Sequence, residues 1–498
     1  MIRLFKVFFP TRALALLISE ATLIYASYLA AAYVVLDYPD IALTQENGWT
    51  RIAIVVTSMI VGLYFQDLYS QFRVRSRTVL CLQFCSVIGF AFFVQALLEY
   101  AHLADWTLPG SLMFGGGALA LVVGPAWRIL YEQVLLRTVA SEKILILGTS
   151  PLAQAVAARL AEDPHLGMTV VGYVDTPPDE SADILAERSY YRAASPVAGT
   201  VQTVTSELEL AVGAGPLALP GGRLLGPIAN LQAIVEQVRP DRIVVGMTER
   251  RGRIPMEELL DLRFAGIRIE DVTNTYETVF GRVSVRELPP LQFIFMPDFA
   301  PARNKLFWHD LFTLGVALIA FVVALPVIIL VAILVRVTSR GPVLYRQARV
   351  GKGGVIFTVL KFRSMYQDAE AATGAVWAVK DDPRITPLGR WIRKLRLDEL
   401  PQLINVLRGD MSIVGPRPER PEFVHVFATQ IPYYRQRMVV RPGITGWAQI
   451  NYKYGDTLDD TILKLEYDLY YIKNLTFSLD VYIMFQTVKV MLLGRGAQ

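Results

Sequence analysis

The chain has 498 residues, 53% of them hydrophobic, and its mean hydropathy is +0.38. These values are high for a soluble protein and the length allows several domains, so we predict a multidomain membrane protein. The formal net charge is only +4, and we expect no nucleic-acid partner. The two cysteines, Cys81 and Cys85, lie four residues apart in an apolar segment, which argues against both a disulfide and a zinc site.

Four apolar segments occupy residues 13–36, 52–68, 79–100 and 111–135. Each is close to the roughly 20 residues that a helix needs to span a bilayer. Basic residues precede the first segment, separate the second from the third and follow the fourth, so the positive-inside rule places the N-terminus and everything after Lys143 in the cytoplasm. We predict a four-helix transmembrane anchor over residues 1–140.

From residue 141 to 275 the pattern alternates between short apolar strands and amphipathic helices, which predicts a Rossmann-like α/β domain with a parallel sheet. Residues 176–226, rich in Pro, Gly, Ala and Ser, are expected to be an insertion. Of a dinucleotide-binding glycine fingerprint only Gly148 is present. Asp175 could contact a ribose hydroxyl, but an acid that simply ends a strand is the favoured interpretation. Residues 276–302 are expected to be a linker.

The apolar segment within residues 303–340 is long enough to cross a membrane, but Arg303 and Arg340 flank it on both sides. Pro326 interrupts the segment, and proline breaks the hydrogen bonding of a helix. We therefore predict a re-entrant hairpin that turns at Pro326. Residues 341–498 would then form a mainly α catalytic domain on the cytoplasmic face, with interfacial helices near its C-terminus.

The most informative run extends from Leu395 to Pro418. It places Asp398 and Glu399 side by side on a leucine-patterned stretch, which predicts an amphipathic helix. Two adjacent carboxylates on a helix point in different directions, so one could attack an electrophile while the other holds a metal. The alternative is an ordinary solvated Asp-Glu pair.

The surroundings of this acidic pair are basic. Between Arg336 and Arg441 there are nineteen Lys or Arg residues against nine Asp or Glu residues, a local excess of +10. Such a shell fits a phosphate-rich substrate, because Arg binds phosphate through two hydrogen bonds. Attraction to an anionic membrane surface would also explain it.

Four motifs follow one another along the last third of the chain. They are KFRSM from Lys361, DDPRITPLGRWIRKLRLDELPQLINVLRGDMSIVGPRPE from Asp381, RPGITGWAQIN from Arg441 and YDLYYIKNLTFSLD from Tyr467. From about Pro301 to the C-terminus the chain resembles the bacterial polyprenyl-phosphate hexose-1-phosphate transferases of the monotopic phosphoglycosyl transferase superfamily. The four spans and the Rossmann-like domain resemble its long members.

The resemblance implies a function. Asp398 would attack a uridine diphosphate sugar to form an aspartyl-phosphosugar, and undecaprenyl phosphate would accept the phosphosugar to start an exopolysaccharide or O-antigen unit. Asp398 and Glu399 would hold Mg²⁺, and the enzyme would reside in the bacterial inner membrane. The expected substrate- or phosphate-binding residues are Lys361, Arg363, Arg384, Arg417 and Arg441, and the expected nucleotide region contains Pro416, Pro418, Gly443 and Gly446.

Two other functions stay open at this stage. A membrane-anchored nucleotide-sugar dehydratase would need an intact glycine fingerprint and a Tyr separated from a Lys by three intervening residues, and the sequence lacks both. A non-catalytic membrane scaffold would use the basic region only to dock on anionic lipid. The sequence leaves open which sugar is transferred and whether the chain forms a homodimer.

Overall fold

The computed structural model describes residues 2–4, 7–9, 11–45, 47–66, 68–69, 77–132, 141–163, 166–175, 219–247, 254–286, 299, 301, 303–366, 382, 384–452 and 457–492. The chain divides into two compact units, and the boundary lies between Val272 and Thr273. Residues 3–8 also belong to the second unit, and they form most of a short two-stranded ribbon with strands β1 (Ile2–Leu4) and β2 (Val7–Phe9).

The first unit begins with four long apolar helices, one for each predicted span. Their bounds, with those of a short helix α2 between the first two, are α1 Thr11–Val35, α2 Pro39–Thr44, α3 Gly48–Phe65, α4 Arg77–Tyr100 and α5 Gly110–Leu130. All four long helices are apolar and long enough to cross a membrane. They agree with a membrane-anchored protein.

Close packing and a buried ion pair hold these helices together. A Cβ on Gly116 in α5 would lie 2.1 Å from the Tyr28 ring in α1, so only glycine permits this approach. Arg128 in α5 donates to Glu20 in α1 at 2.9 Å, and Tyr69 donates to the same carboxylate at 2.7 Å. A buried charge needs such partners. The pairing of Glu20 with Arg128 is not visible in the sequence, because the two residues are 108 positions apart.

A five-stranded parallel sheet follows, in the order β5-β4-β3-β6-β7. Its strands are β3 Glu142–Leu147, β4 Met168–Val174, β5 Leu224–Gly226, β6 Arg242–Val245 and β7 Arg268–Asp271. The helices between them are α6 Pro151–Glu162, α7 Leu231–Val238 and α8 Met256–Phe264. These elements form the predicted parallel α/β architecture.

Two details of this sheet bear on the predictions. The insertion was expected to end at residue 226, which is too far along the chain because residues 224–226 pair with β4 as an edge strand. Residues 176–218 lie outside the described part of the chain. At the end of β3, Thr149 donates to Asp175 at 2.6 Å. Asp175 therefore has a partner within the domain, in agreement with a strand-end acid.

The second unit begins inside helix α9, Val272–Phe280. The linker expected over residues 276–302 is therefore wrong for its first part. Val283 and Val285 are buried in the core of this unit, and Glu466 accepts hydrogen bonds from the Tyr276 hydroxyl at 3.0 Å and the Val285 amide at 3.1 Å. These long-range contacts are not visible in the sequence of the segment. Residues 287–298 lie outside the described part.

Helix α10, Arg303–Thr338, is apolar and continues through Pro326. The expected interruption of the helix at Pro326 is therefore wrong, while the re-entrant path of this segment through the membrane stays a prediction. Proline removes one backbone hydrogen-bond donor from the helix. Losing further backbone hydrogen bonds in apolar surroundings would cost more free energy, so the helical conformation continues on both sides of the proline.

One stripe of α10 packs on the second unit along both halves of the helix. Ala317 packs near Val359, while Val331 and Val335 pack near Phe362. The opposite face is exposed and apolar, with Val323 74% exposed.

The rest of the second unit combines short strands with helices. The strands are β8 Leu344–Val350 and β9 Ile356–Phe362, which pair antiparallel, and β10 Ser412–Val414 and β11 Gly443–Thr445, which pair in parallel. The helices are α11 Pro387–Lys394, α12 Gln402–Arg408, α13 Pro421–Gln430, α14 Trp447–Asn451, α15 Leu458–Lys473 and α16 Phe477–Leu492.

The expected interfacial character of the C-terminal helices is wrong for α15. Leu465, Leu469, Tyr470 and Tyr471 are each at most 1% exposed and lie in the core. The tyrosines suggested an interfacial helix because they are amphipathic. In the fold the Tyr471 hydroxyl is satisfied internally, by the Asp480 carboxylate at 2.8 Å.

Candidate active site

Asp398 and Glu399 lie on a single 3-10 turn, Leu397–Glu399, between α11 and α12. The continuous amphipathic helix predicted from Leu395 onward is therefore wrong. Arg396 adopts a left-handed conformation with φ of 53°, and Pro401, which has no amide hydrogen, directly precedes α12. Leu395 is 53% exposed instead of buried. The two acids consequently lie on an irregular turn and not in the middle of a helix.

Two cations hold Glu399. Lys361 from β9 donates to its Oε1 at 3.0 Å, and Arg417 donates to the same oxygen at 2.9 Å. The Glu399 side chain is 12% exposed, while Lys361 and Arg417 keep 23% and 29% of their side-chain surface. Two residues expected to bind phosphate are thus brought to the acidic turn.

The two carboxyl groups differ in their proton affinity. Burial and the neighbouring charge of Glu399 raise the pKa of Asp398, although Lys361, Arg393 and Arg417 oppose this. Burial also disfavours ionised Glu399, but Lys361 and Arg417 outweigh that effect and lower its pKa. Glu399 is therefore the carboxylate that stays ionised. Environments that push two pKa values apart are typical of acids with separate tasks.

Arg417 projects from the loop formed by residues 416–419. Pro416 and Pro418 restrict the backbone on both sides of Arg417. A pocket beside this loop is lined by Arg417, Tyr434 and Arg437, among others. Both prolines also line the pocket, so the predicted nucleotide region contains a cavity.

Gly443 and Gly446 permit close backbone approach. A Cβ on Gly443 would lie 2.1 Å from the Gly415 nitrogen, and one on Gly446 would lie 2.2 Å from the Gly415 oxygen. Both glycines are therefore explained by packing against the strand that leads into the 416–419 loop. A role in contacting nucleotide stays a prediction.

The other three cations predicted to bind phosphate have partners away from Glu399. Arg384 pairs with Asp382 at 2.6 Å, and Arg441 pairs with Asp310 of α10 at 3.3 Å. Arg363 donates to the Ser339 carbonyl at 2.8 Å. The structure thus brings Lys361 and Arg417, but not these three, into contact with Glu399.

No group of three or more His, Cys, Asp or Glu side chains suited to a metal ion occurs in the described part of the chain. Asp398 and Glu399 nevertheless offer hard oxygen donors. Mg²⁺ is often bound by one or two carboxylates together with substrate phosphates and water. The residues present therefore fit Mg²⁺ bound together with a diphosphate substrate.

Sequence reasoning missed two buried residues that organise this site. Asn405, which is fully buried, accepts from the Leu360 amide at 3.0 Å and donates to the Thr358 carbonyl at 2.7 Å. It thereby fixes α12 against the free edge of the strand that carries Lys361. Arg437 donates to the Arg417 carbonyl at 3.0 Å. A polar residue at a helical core position was the available signal for Asn405.

Comparison with known proteins identifies the family. The bacterial sugar transferase family model matches residues 304–494. A UDP-glucose:undecaprenyl-phosphate glucose-1-phosphate transferase from Xanthomonas campestris pv. campestris is 31% identical over 500 residues, which cover 94% of this chain and 95% of the relative. The chain belongs to the bacterial sugar transferase family. The resemblance predicted from the sequence motifs is confirmed.

Other bacterial sugar transferases match over shorter stretches. A UDP-N-acetylgalactosamine-undecaprenyl-phosphate N-acetylgalactosaminephosphotransferase from Aeromonas hydrophila is 44% identical over 234 residues, which are 47% of this chain and 54% of the relative. A UDP-glucose:undecaprenyl-phosphate glucose-1-phosphate transferase from Escherichia coli K12 is 34% identical over 277 residues, 54% of this chain and 59% of the relative. The names of these relatives differ in the sugar.

Proposed function

We propose that this protein transfers a sugar-1-phosphate from a uridine diphosphate sugar to undecaprenyl phosphate, and so starts a repeat unit of exopolysaccharide or O-antigen. The observation that carries the proposal is the Asp398-Glu399 turn with Lys361 and Arg417 bound to Glu399. Lys361 and Arg417 lie close enough to the acidic pair to bind the phosphate oxygens of a diphosphate placed there. The names of the relatives supply the substrate class.

Asp398 is the proposed nucleophile. One carboxylate oxygen attacks the β-phosphorus, the bond from that phosphorus to the bridging oxygen breaks, and uridine monophosphate leaves with the electron pair. An oxygen of undecaprenyl phosphate then attacks the same phosphorus and releases the carboxylate. Covalent catalysis divides one difficult transfer into two displacements. The raised pKa of Asp398 means that the reaction requires a pH at which this group is ionised.

Glu399 has a different proposed role. It stays ionised, and with Asp398 it would hold Mg²⁺, which supplies charge neutralisation on the diphosphate when bound. Lys361 and Arg417, which contact Glu399 in this structure, would turn part of their hydrogen bonding toward the donor phosphates. The donor phosphates would then replace the Glu399 carboxylate as the counter-ion of Lys361 and Arg417, so neither cation would be left unpaired.

Arg363 is the proposed ligand of the acceptor phosphate. It is 7% exposed, and its Nε and Nη1 atoms are buried without a hydrogen-bond partner in the described part of the chain. It lies against Ser339, at the end of α10. A buried cation without a counter-ion is costly, and a phosphate would relieve that cost. Arg363→Lys should therefore raise the KM for undecaprenyl phosphate more than the KM for the donor.

The contact stripe of α10 supports a location for the site. Because both halves of the helix pack on the same unit, we propose that α10 is immersed along the cytoplasmic leaflet of the inner membrane, with its exposed apolar face in lipid. Both of its ends would then lie on the cytoplasmic side. The soluble donor and the lipid-linked acceptor could meet at Asp398.

The test is transfer of radiolabelled sugar-1-phosphate into organic-extractable lipid, measured in membranes with a panel of uridine diphosphate sugars. We expect transfer with at least one hexose or N-acetylhexosamine donor. Asp398→Asn should abolish it, and Asp459→Asn, at an exposed carboxylate in the same unit, should not. A protein that inserts normally but transfers none of the sugars would support a scaffold role and refute the proposal.

A further inference from the structure

The loop that carries Arg417 is held by its own carbonyl groups. Four consecutive carbonyls, those of residues 416 to 419, each accept a hydrogen bond from a different donor: Pro416 from the Gly443 amide (2.9 Å), Arg417 from Arg437 Nη2 (3.0 Å), Pro418 from Arg349 Nη1 (3.0 Å) and Glu419 from the Val350 amide (2.9 Å). All four carbonyls are thereby satisfied. The loop is fixed before any substrate arrives.

Arg437 differs from the other donors because it links the loop to the core. Its guanidinium donates to Asp468 of α15 at 3.1 and 2.8 Å and to the Tyr434 hydroxyl at 2.8 Å. Arg437 is 8% exposed and Asp468 is 2% exposed. The Arg417 carbonyl is thus connected through one side chain to a helix whose neighbouring residues form the core.

Stability does not require an ion pair at these two positions. Burial raises the pKa of Asp468 even though Arg437 opposes the shift, whereas Tyr434 and Asp468 outweigh burial at Arg437 and raise its pKa. The cost of burying the carboxylate and the gain from pairing the guanidinium therefore oppose each other. Buried ion pairs can often be replaced by apolar residues of similar volume without loss of stability. An apolar pair could not, however, donate to the Arg417 carbonyl.

We propose that Arg437 is a positioning residue for the donor substrate. It fixes the backbone of Arg417 so that the Arg417 guanidinium stays at the acidic turn, and Asp468 orients Arg437 in turn. This inference rests on the proposed function, since it assigns Arg417 to the donor phosphates. Misplacing a substrate-binding group by about 1 Å can reduce activity by about 100-fold.

The test uses a double variant, Arg437→Met with Asp468→Leu, which removes the pair without leaving a buried charge. We expect it to fold, to raise the donor KM about tenfold or more, and to leave the KM for undecaprenyl phosphate within twofold. The matched control is Lys473→Met with Glu277→Leu, which removes a largely buried ion pair elsewhere in the same unit. The control should leave both KM values unchanged.

Several outcomes would overturn the inference. A folded double variant with an unchanged donor KM would show that Arg437 does not position Arg417, and an equal rise in both KM values would show a general structural role. Uridine diphosphate binding, measured without acceptor lipid, separates this inference from the proposed reaction. If the unaltered protein binds uridine diphosphate but transfers no sugar, weaker binding by the double variant still supports the positioning role, and equal binding refutes it.

Discussion

Asn405 offers a sharp test of how the acidic turn is held. Its side-chain amide replaces a neighbouring strand at the free edge of β9, and its Nδ2 also lies 3.3 Å from Asp410 Oδ2. Asn405→Asp keeps the shape and the acceptor but removes both donated bonds and places a second carboxyl group beside Asp410. Because Asn405 is fully buried, ionising the new carboxyl group would place a charge in the core with only the Leu360 amide to stabilise it and Asp410 beside it.

The magnitude follows from burial. A fully buried carboxyl group has its pKa raised by roughly 3 units or more, and each unit corresponds to about 1.36 kcal/mol. A raised carboxyl pKa makes the variant less stable as pH increases from the unfolded-state pKa, about 3.9, toward the folded-state pKa. The loss should therefore reach about 4 kcal/mol at pH 8 and only about 1.5 kcal/mol at pH 5.

Thermal unfolding in detergent at one scan rate, with the unaltered protein measured at each pH, checks this expectation. For a unit of this size 1 kcal/mol shifts the midpoint by roughly 2–4 °C, so Asn405→Asp should melt about 10 °C lower at pH 8 and only a few degrees lower at pH 5. Asn230→Asp, at an exposed position, is the control and should show little change at either pH. A deficit that does not vary with pH would refute the reasoning.

Three further predictions concern the site, the domain boundary and the membrane. Glu399→Gln removes a charge that raises the pKa of Asp398, so the acidic limb of the pH–rate profile for residual transfer, measured at saturating Mg²⁺, should move to lower pH. An acidic limb that does not move would show that the charge of Glu399 does not control the ionisation of Asp398. A fragment that starts at residue 273 should retain transfer. A fragment that starts at residue 300 should be less stable, because the buried Glu466 carboxylate loses its hydrogen bonds from Tyr276 and Val285. Equal stability and activity of the two fragments would contradict this. Cysteines beyond both ends of α10 should be labelled only from the cytoplasmic side, and Pro326→Ala should not invert them, because the helix is already continuous; labelling of either from outside would defeat the proposed topology.

Local patterns were sufficient to predict most of the elements. The four apolar helices and the sheet strands β3, β4, β6 and β7 follow from apolar run length and periodicity, which depend on neighbouring residues. The predicted helix after Leu395 failed because one left-handed residue, Arg396, and one proline, Pro401, broke an otherwise helical pattern. The break expected at Pro326 is absent for the opposite reason, since the helix tolerates a proline that the sequence suggested would interrupt it.

The site was only partly predictable. Lys361 and Arg417 were found because basic residues near paired acids suggest phosphate chemistry, and both contact Glu399. Arg441 was grouped with them on the same ground, but its partner is Asp310, which lies 131 positions earlier in the chain. Arg437 was not singled out. Contacts between residues so far apart in sequence depend on tertiary packing, which composition and spacing do not reveal.

The central claim is that Asp398 carries the phosphosugar, and covalent labelling tests it most directly. The purified protein would be incubated with a uridine diphosphate sugar labelled in the β-phosphate, without acceptor lipid, then denatured and digested. We expect label on the peptide that contains Asp398, its loss when undecaprenyl phosphate is added before denaturation, and no label in Asp398→Asn. Transfer to lipid at the full rate by Asp398→Asn, or equal labelling of that variant, would contradict the account.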